Sequence, residues 1–257
     1  MNKEFYKKVI KKNIIDSNDS VLVIAGGEND FQILRELKYK NVTITNLDES
    51  INSDKYEPYN YSIQNAESLT FNDGAFDYVI VNMGLHHCFS PHKALLEMYR
   101  VAKKGIICIE NRDSFFMKIL IKLKLAYQYE LPAVFFNNCK YGGVENSEIP
   151  NFIYRWKEDE IKKTINCFVP YKNHKISYYY GLNIPERFQK KFFLKYFFVS
   201  LGNITKIFFP RQLNIFGFFI KKTDLKSDLL PWVKIYNSSI KVNKNWMKHN
   251  WQKKINS

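Results

Sequence analysis

Two adjacent histidines, His86 and His87, are the side chains of this chain best suited to move a proton. They follow the apolar run 76–81, which predicts a buried strand. A histidine titrates close to neutral pH and can act as a general base toward a hydroxyl group. Because neighbouring residues in a turn point in different directions, we expect His87 to be the base and His86 to be the second choice. The alternative is that both only pack or hydrogen-bond beneath the next helix.

A glycine pair marks a second candidate site. The run 21–24 is continuously apolar, as in a buried parallel strand, and it leads through Ala25 into Gly26 and Gly27. Glycine allows a ligand to approach the main chain, and the amide groups that open the following helix are free to bind it. A strand, glycine turn and helix in this order predict a nucleotide-type cofactor site. The alternative is a tight turn that only packs the helix on the strand.

An acidic residue stands where the second part of such a site is expected. The run 42–47 predicts a second strand, and Asp48 follows it about 20 residues after the glycine turn. A carboxylate in this position accepts hydrogen bonds from ribose hydroxyls. The alternative is that Asp48 only caps the segment that follows it.

A polar, glycine-bearing loop at 137–151 is the candidate acceptor site. Together with the residues just after it, the loop offers carboxylates, amides, an arginine and aromatic faces, a mixture that suits a polyhydroxylated ligand. The predicted substrate-binding residues are Glu145, Asn146, Glu148, Tyr154 and Arg155, and the two glutamates are reserve bases. The alternative is a surface loop that caps the helix predicted at 157–165. No compact cluster of Asp and His ligands is evident, so we predict no metal site.

Strands and helices alternate around these residues. Apolar runs at 61–64, 76–81 and 106–109 predict three more strands, and helical spacing predicts a helix at 91–101, closed by residues 103–105 (KKG). The runs 175–180 and 213–220 predict an antiparallel pair near the C-terminus. This alternation predicts an α/β fold with a mainly parallel sheet.

Four strings in this order resemble the class I S-adenosylmethionine-dependent methyltransferases, in particular the type 11 group that acts on small molecules. They are residues 65–71 (NAESLTF), 76–79 (FDYV), 85–87 (LHH) and 91–105. The resemblance implies a Rossmann-like seven-stranded sheet with strand order 3-2-1-4-5-7-6, an antiparallel last strand and helices on both faces.

The same resemblance implies S-adenosylmethionine as the cofactor and a set of residues that bind it. The glycine turn would face the methionine part, Asp48 the ribose, and Asn65 with the amide of Ala66 the adenine edge. The implied cofactor-binding residues are Ala25, Gly26, Gly27, Asp48, Asn65, Ala66, Asn82 and Met83.

The chain departs from the family pattern in the first strand and turn. Val23 stands where the family has an acidic residue, and Ala25 and Asn29 replace the outer glycines. The string at 142–156 is similar to methyltransferases of bacterial surface-polysaccharide gene clusters, which implies O-methylation of a sugar or glycan intermediate. A catalytically silent binding module in a glycan-assembly complex is the alternative. A nucleotide-dependent oxidoreductase is disfavoured, because no full G-x-G-x-x-G is present.

Composition agrees with one elaborated domain. The 257 residues are 46% hydrophobic and 16% aromatic, which is ample for a core. Four widely spaced cysteines without a C-x-x-C pair suit a reducing cytoplasm. The net charge of +14 arises from dispersed lysines and arginines, and no nucleic-acid-binding motif is present, so we expect no nucleic-acid partner.

The segment 187–209 interleaves aromatic residues with lysines. No stretch of 18 residues there is free of charge, so we expect contact with the membrane surface or burial in the core rather than a span. We therefore expect a cytoplasmic protein with possible peripheral membrane contact. Around the single domain at 1–257 we predict an N-terminal helical extension (1–18), a substrate-loop insertion (112–170), an aromatic-basic helical insertion (185–210) and a C-terminal tail (222–257).

Overall fold

A mixed seven-stranded sheet forms the centre of the protein. The structure, a computed structural model, describes residues 3–14, 16–184, 192–224 and 226–255. The sheet has the order β3-β2-β1-β4-β5-β7-β6, and β7 runs antiparallel to both of its neighbours. This confirms the predicted strand order. The strands are β1 (Ser20–Ile24), β2 (Asn41–Asn46), β3 (Asn60–Ile63), β4 (Phe76–Asn82), β5 (Ala102–Asn111), β6 (Lys175–Gly181) and β7 (Ile215–Lys221).

Helices cover both faces of the sheet. They are α1 (Lys3–Asn13), α2 (Glu28–Glu36), α3 (Pro91–Val101), α4 (Phe115–Lys122), α5 (Leu131–Phe135), α6 (Glu158–Phe168), α7 (Phe192–Phe208) and α8 (Lys244–Ile255). Strand β1 shows why both faces need cover. Leu22 and Ile24 belong to one buried cluster, whereas Val21 and Val23 belong to the other. Since side chains alternate along a strand, a continuous apolar run requires packing on both sides.

The junction between α3 and β5 differs from the prediction. Helix α3 begins as expected, with the Ser90 hydroxyl accepting from the Lys93 amide and Pro91 in its first turn. The string 103–105 does not close the helix, however, because β5 already starts at Ala102. Gly105 instead pairs with Lys221, where an added Cβ would lie 2.8 Å from the carbonyl oxygen of Ile220.

The cation that caps α3 comes from a distant strand. The Lys222 ammonium donates to the carbonyl oxygens of Tyr99 at 2.8 Å and Ala102 at 2.6 Å, and it lies over the Tyr99 ring. A positive charge at this end stabilises the helix dipole. Burial lowers the pKa of Lys222. The sequence predicted a lysine at the end of α3, as observed, but the lysine is Lys222 rather than Lys103 or Lys104.

The N-terminal helix is part of the core. Helix α1 buries Tyr6, Val9 and Ile10 against the sheet. A Cβ added at Gly217 of β7 would lie 3.3 Å from Val9, so α1 approaches the sheet closely at this glycine.

The three regions that were predicted outside the central sheet contain further helices or strands. The insertion predicted at 112–170 contains α4, α5 and α6. Within the helical insertion predicted at 185–210, α7 is present, while residues 185–191 lie outside the described residues. The predicted tail holds an antiparallel hairpin, β8 (Val233–Tyr236) and β9 (Ser239–Val242), followed by α8. Among the residues that the structure describes, no helix is both long and apolar enough to cross a membrane.

Candidate functional site

A cavity of about 200 Å³ opens at the carboxyl ends of β1, β2 and β4. In an open α/β sheet this is the edge where ligands bind, at the point where the strand order reverses. Five of the predicted cofactor or catalytic residues line the cavity, namely Ala25, Asn65, Ala66, Met83 and His87. Loop residues that include Gly142, Gly143, Glu145 and Asn146 cover it.

The turn after β1 has the geometry expected of a ligand loop. Ala25 adopts a left-handed backbone with φ of 49°, and Gly27 precedes α2 in an extended conformation. The Gly27 amide donates to the Asp30 carboxylate at 3.0 Å, and the Gly26 amide donates to the carbonyl of Thr45 at 2.8 Å. The amides of this turn are therefore partly committed to holding its shape. Gly26 and Gly27 do not themselves line the cavity.

The end of β2 presents an amide to the cavity rather than a carboxylate. Asn46, the last residue of β2, lines the cavity and donates through Nδ2 to the Gly26 carbonyl at 2.9 Å. Asp48 does not line it, and its carboxylate accepts from the Ser50 amide at 3.0 Å and the Ser50 hydroxyl at 2.6 Å. These bonds form a local turn, whereas the short helix that follows is capped by Asn52, so Asp48 does not have the capping role that was its alternative. Asn46 was not predicted as a site residue, although a polar residue at the end of a parallel strand indicates a position at the ligand-binding edge of the sheet.

Asn65 connects the sheet to the loop that covers the cavity. Its oxygen accepts from the Glu67 amide at 2.8 Å, and its Nδ2 donates to the Glu145 carboxylate at 3.2 Å. Glu145, predicted to bind the acceptor, therefore reaches the part of the cavity assigned to the cofactor.

The covering loop is held in shape by its own hydrogen bonds and by two glycines. The Gly143 amide donates to the Ser147 carbonyl at 2.8 Å, and the Val144 amide donates to the Ile149 carbonyl at 2.9 Å. Gly142 has a φ of 96°, which other residues rarely adopt. A Cβ added at Gly143 would lie 1.9 Å from the Ile149 carbonyl oxygen. The loop therefore requires glycine at both positions.

The last residue of β4 and the residue that follows it point in different directions. Met83, with φ of 57°, lines the cavity. Asn82 is directed toward the buried carboxylate of Asp30 instead, at the start of α2. Asn82 therefore supports the glycine turn from below rather than touching the cavity.

His86 is enclosed by carboxylates. Its Nδ1 lies 2.9 Å from Glu110 Oε2, and its Nε2 lies 3.1 Å from Glu130 Oε2. Burial opposes the charged imidazolium, yet the charges of Glu110 and then Glu130 raise the pKa of His86 to about 10. With both nitrogens engaged and only 4% of its surface exposed, His86 is held in place by the two carboxylates and does not reach the cavity.

His87 has the opposite surroundings. It lines the cavity, and burial together with the nearby charge of His86 lowers its pKa, which favours the neutral imidazole. Its Nδ1 lies 3.4 Å from the Gly143 carbonyl oxygen, and its Nε2 lies 3.3 Å from Glu130 Oε2. The catalytic role of His87 stays a prediction, and this placement is consistent with it.

Glu110 and Glu130 are site residues that sequence analysis did not assign. Glu110 is fully buried and also accepts from the Leu85 amide at 2.8 Å. Its position directly after a buried strand run was a usable signal. Glu130 comes from the insertion, 44 positions away from His86, and no local pattern indicated it. It brings a carboxylate within 4.8 Å of the ligand atoms of both histidines, so the expectation that no compact cluster exists is wrong.

The other predicted acceptor residues lie outside the cavity. Tyr154 donates to the Glu160 carboxylate and packs edge-on against Trp156. Arg155 donates to the carbonyl oxygens of Ile153 and Tyr127. Glu148 is exposed on the covering loop. Of the five predicted acceptor residues, the structure brings only Glu145 and Asn146 to the cavity.

Comparison with known proteins agrees with this geometry. Residues 25–109, the region that supplies β2 to β4 and most of β5, match the methyltransferase domain family. A ubiquinone/menaquinone biosynthesis C-methyltransferase, UbiE of Hydrogenovibrio crunogenus, is 32% identical over 111 residues, which is 38% of this chain and 44% of that protein. The chain spans about half the length of the curated relatives it matches.

Solved structures show the same fold. YcgJ of Bacillus subtilis superposes with a TM-score of 0.54 at 12% identity, covering 86% of this chain and 99% of that one. A SAM-dependent methyltransferase of Archaeoglobus fulgidus superposes with a TM-score of 0.50 at 13% identity, covering 86% and 95%. The chain is thus similar over residues 25–109 to the methyltransferase domain family and has a Rossmann-like methyltransferase fold, and together these findings imply S-adenosylmethionine as the cofactor.

Proposed function

We propose that this protein is an S-adenosylmethionine-dependent methyltransferase. The observation that carries the proposal is the cavity at the carboxyl ends of β1, β2 and β4, most of whose lining residues belong to the matched region, while the 142–146 loop covers it. Its lining offers amide donors and acceptors from Asn46 and Asn65 beside the apolar side chains of Ala66 and Met83. This mixture fits a cofactor with a polar ribose, an aromatic base and a thioether-like chain.

The residues of this chain would bind and orient the cofactor. Asn46 and Asn65 would face its nucleoside part, and the turn at Ala25 would face its methionine part. When bound, S-adenosylmethionine supplies an activated methyl group on a sulfonium centre. Because transfer is an in-line displacement, positioning can supply much of the rate acceleration. The cavity is smaller than the roughly 300–1,000 Å³ of typical ligand sites, so the 142–146 loop must move when the cofactor enters.

For the acceptor, we propose a hydroxyl of a sugar or glycan intermediate in surface-polysaccharide biosynthesis. Two observations support this. The loop that covers the cavity is polar and contributes Glu145 and Asn146, and the neutral His87 lies beside it as a group that could take the hydroxyl proton.

A carbon acceptor is the second candidate. Several relatives of this chain are named as C-methyltransferases of ubiquinone and menaquinone biosynthesis. An activated ring carbon needs less help from a base than a hydroxyl does. A catalytically silent binding module would have the same cavity without turnover.

Calorimetric titration tests the cofactor proposal. We expect S-adenosylmethionine and S-adenosylhomocysteine to bind and NADH not to bind. Asn46→Ala should weaken binding about tenfold, the size expected for one lost hydrogen bond, whereas Asp48→Ala should change it little. Binding of NADH alone, or of none of the three, would refute the proposal.

Methyl transfer then identifies the acceptor class. Methyl-labelled cofactor would be incubated with nucleotide sugars, lipid-linked glycans and quinone precursors. Label in the sugar fractions supports the hydroxyl acceptor, and label in the quinone fraction supports the carbon acceptor. Cofactor binding with no label in any fraction supports the silent module.

A further inference from the structure

His86, His87 and Glu130 converge on one point beside the cavity. The Nε2 atoms of the two histidines lie 3.1 Å and 3.3 Å from the same carboxylate oxygen of Glu130. The three ligand atoms lie within 4.8 Å of one another. Two imidazoles and one carboxylate form the donor set of several three-ligand zinc sites.

Two of the three separations between the ligand atoms are close to those around a tetrahedral ion, and the third, between the histidine nitrogens, lies within 4.8 Å and can adjust through the partly exposed His87. Zinc bonds of about 2.0–2.1 Å place neighbouring ligand atoms about 3.4 Å apart at the corners of a tetrahedron. The two histidine-to-carboxylate separations of 3.1 Å and 3.3 Å need to widen only slightly to match.

The surrounding residues orient the ligands as they do in metal sites. Glu110 Oε2 contacts His86 Nδ1 at 2.9 Å, which directs Nε2 toward the convergence point. A buried carboxylate behind a histidine is the usual support for a metal ligand. Asn151 holds the other side, since its Nδ2 lies 3.3 Å from Glu130 Oε2 and 3.2 Å from the His86 carbonyl oxygen.

The three side chains of the cluster differ in how much of their surface is exposed to solvent. The side chain of His86 is 3% exposed, whereas those of His87 and Glu130 are 32% and 33% exposed. The cluster is therefore anchored in the core and opens on the side of His87, which lines the cavity.

We propose that His86, His87 and Glu130 bind one divalent transition ion of the Zn²⁺ type, with a coordination position left toward the cavity. The site requires only these side chains, so it would bind the ion whether or not the protein transfers methyl groups. With its Nε2 bound to the ion, His87 could not accept a proton from an acceptor there. The base role of His87 that supports the hydroxyl acceptor therefore belongs to the metal-free protein.

Metal analysis of the untagged full-length protein tests the proposal. After treatment with a chelator and dialysis, the protein would be titrated with Zn²⁺, and separately with Co²⁺ for its visible spectrum. We expect one equivalent of Zn²⁺ and the intense visible absorption of four-coordinate Co²⁺. His87→Ala and Glu130→Ala should each weaken Zn²⁺ binding by at least about tenfold.

A matched control separates this cluster from ordinary histidine–glutamate pairs. His92 lies 2.8 Å from Glu160, and among the described residues no third His, Cys, Asp or Glu joins the pair as a ligand, so His92→Ala should retain the full equivalent. Circular dichroism would confirm that each variant is folded, and the partly exposed positions 87 and 130 are chosen because they should tolerate replacement. The proposal is overturned if the wild type binds no ion, or if His87→Ala and Glu130→Ala bind Zn²⁺ as tightly as His92→Ala does.

Discussion

Gly26 and Gly27 are neighbours, yet a methyl group would meet different surroundings at the two positions. A Cβ at Gly26 would lie 2.8 Å from both Ile44 and Val23, whereas a Cβ at Gly27 would meet nothing within 4 Å. We expect Gly26→Ala to lower the free energy of unfolding by about 1–3 kcal/mol, as overpacking does. Gly27→Ala should change it by less than about 0.5 kcal/mol. Urea unfolding measures both, and equal losses would contradict the difference in packing.

The carboxylate of Asp30 should make stability depend on pH. Burial raises its pKa, although the bond from the Gly27 amide acts in the opposite direction. An acid whose folded-state pKa is raised contributes stability that is complete below its unfolded pKa, about 3.9, and is lost as pH rises through the folded value. Asparagine removes this titration and can still accept from the Gly27 amide.

We therefore expect the wild type, measured relative to Asp30→Asn, to lose stability as pH rises from about 4 toward neutrality. Urea unfolding of both proteins at several pH values gives this difference directly. Titrations elsewhere in the molecule cancel in the comparison. A difference that stays constant with pH would show that the Asp30 pKa is not raised.

Several residues that were predicted for the cofactor site do lie at the cavity. Ala25, Asn65, Ala66 and Met83 follow β1, β3 and β4 by one to three positions and line the cavity, and their role toward a cofactor stays a prediction. Asp48 was chosen for its charge, but its carboxylate bonds to Ser50, and Asn46 lines the cavity instead. The surroundings of His86 depend on Glu130 from a distant insertion, which periodicity cannot reveal.

At the scale of elements, a buried ion pair connects β5 to α6. The Arg112 guanidinium is almost buried, donates to Glu158 Oε2 at 2.7 Å, and lies over the rings of Tyr180 and Phe216. Glu158→Gln would leave this cation without its partner charge, so we expect a loss of about 3 kcal/mol in the free energy of unfolding.

An exposed pair provides the control for that variant. Glu36 pairs with Lys7 at 2.7 Å, but its side chain is 62% exposed. Glu36→Gln should cost much less than Glu158→Gln, because water screens such pairs. Urea unfolding compares the two variants, and similar losses would show that the Arg112 pair is not a special contact between elements.

The covering loop should control entry to the cavity. Glu145 holds the loop to Asn65, and this contact must break before a cofactor can enter. We expect Glu145→Ala to raise the association rate constant for S-adenosylmethionine several-fold, measured by stopped-flow fluorescence. Glu148→Ala removes the same charge from an exposed position of the same loop and should leave the rate constant unchanged. If both variants change the rate constant equally, the removed negative charge is the cause, and the contact between Glu145 and Asn65 does not control entry.

Elements of the sheet were predictable because each has its own local pattern. The boundary between α3 and β5 was misplaced, since residues 103–105 resemble a helix end but are held as strand by pairing with β4 and β7. The β8–β9 hairpin was missed because its strands are only four residues long and largely exposed, although both alternate apolar and polar residues on either side of the turn at Asn237 and Ser238.

At the scale of the whole molecule, α4 and α7 each carry several exposed apolar side chains among the described residues. Leu201, Ile204, Ile207 and Phe208 of α7 are between 46% and 73% exposed, and both helices border one apolar cavity of about 330 Å³. A large exposed apolar surface on a protein with a charge of +14 suits an anionic membrane surface. We therefore propose peripheral membrane contact through these two helices.

Co-sedimentation with anionic phospholipid vesicles tests this surface. The double variant Ile207→Ser with Phe208→Ser should reduce the bound fraction severalfold without changing cofactor affinity. Tyr236→Ser, which alters an exposed aromatic residue of the β8–β9 hairpin, should have no effect. Unchanged sedimentation of the double variant would show that α7 does not contact lipid.

The position of β7 between β5 and β6 has a consequence for how the chain can fold as it is synthesised. In the part of the chain that the structure describes, β6 pairs with β7 alone, so it has no partner in the sheet until residues 215–221 have left the ribosome. Until then the edge of β5 also exposes unpaired backbone groups, which are a template for aggregation. Lys222 is synthesised directly after β7 and contacts the end of α3. One short segment therefore completes both the pairing of β6 and the cap of α3. Nascent chains stalled before this segment should therefore be the ones that depend on chaperones.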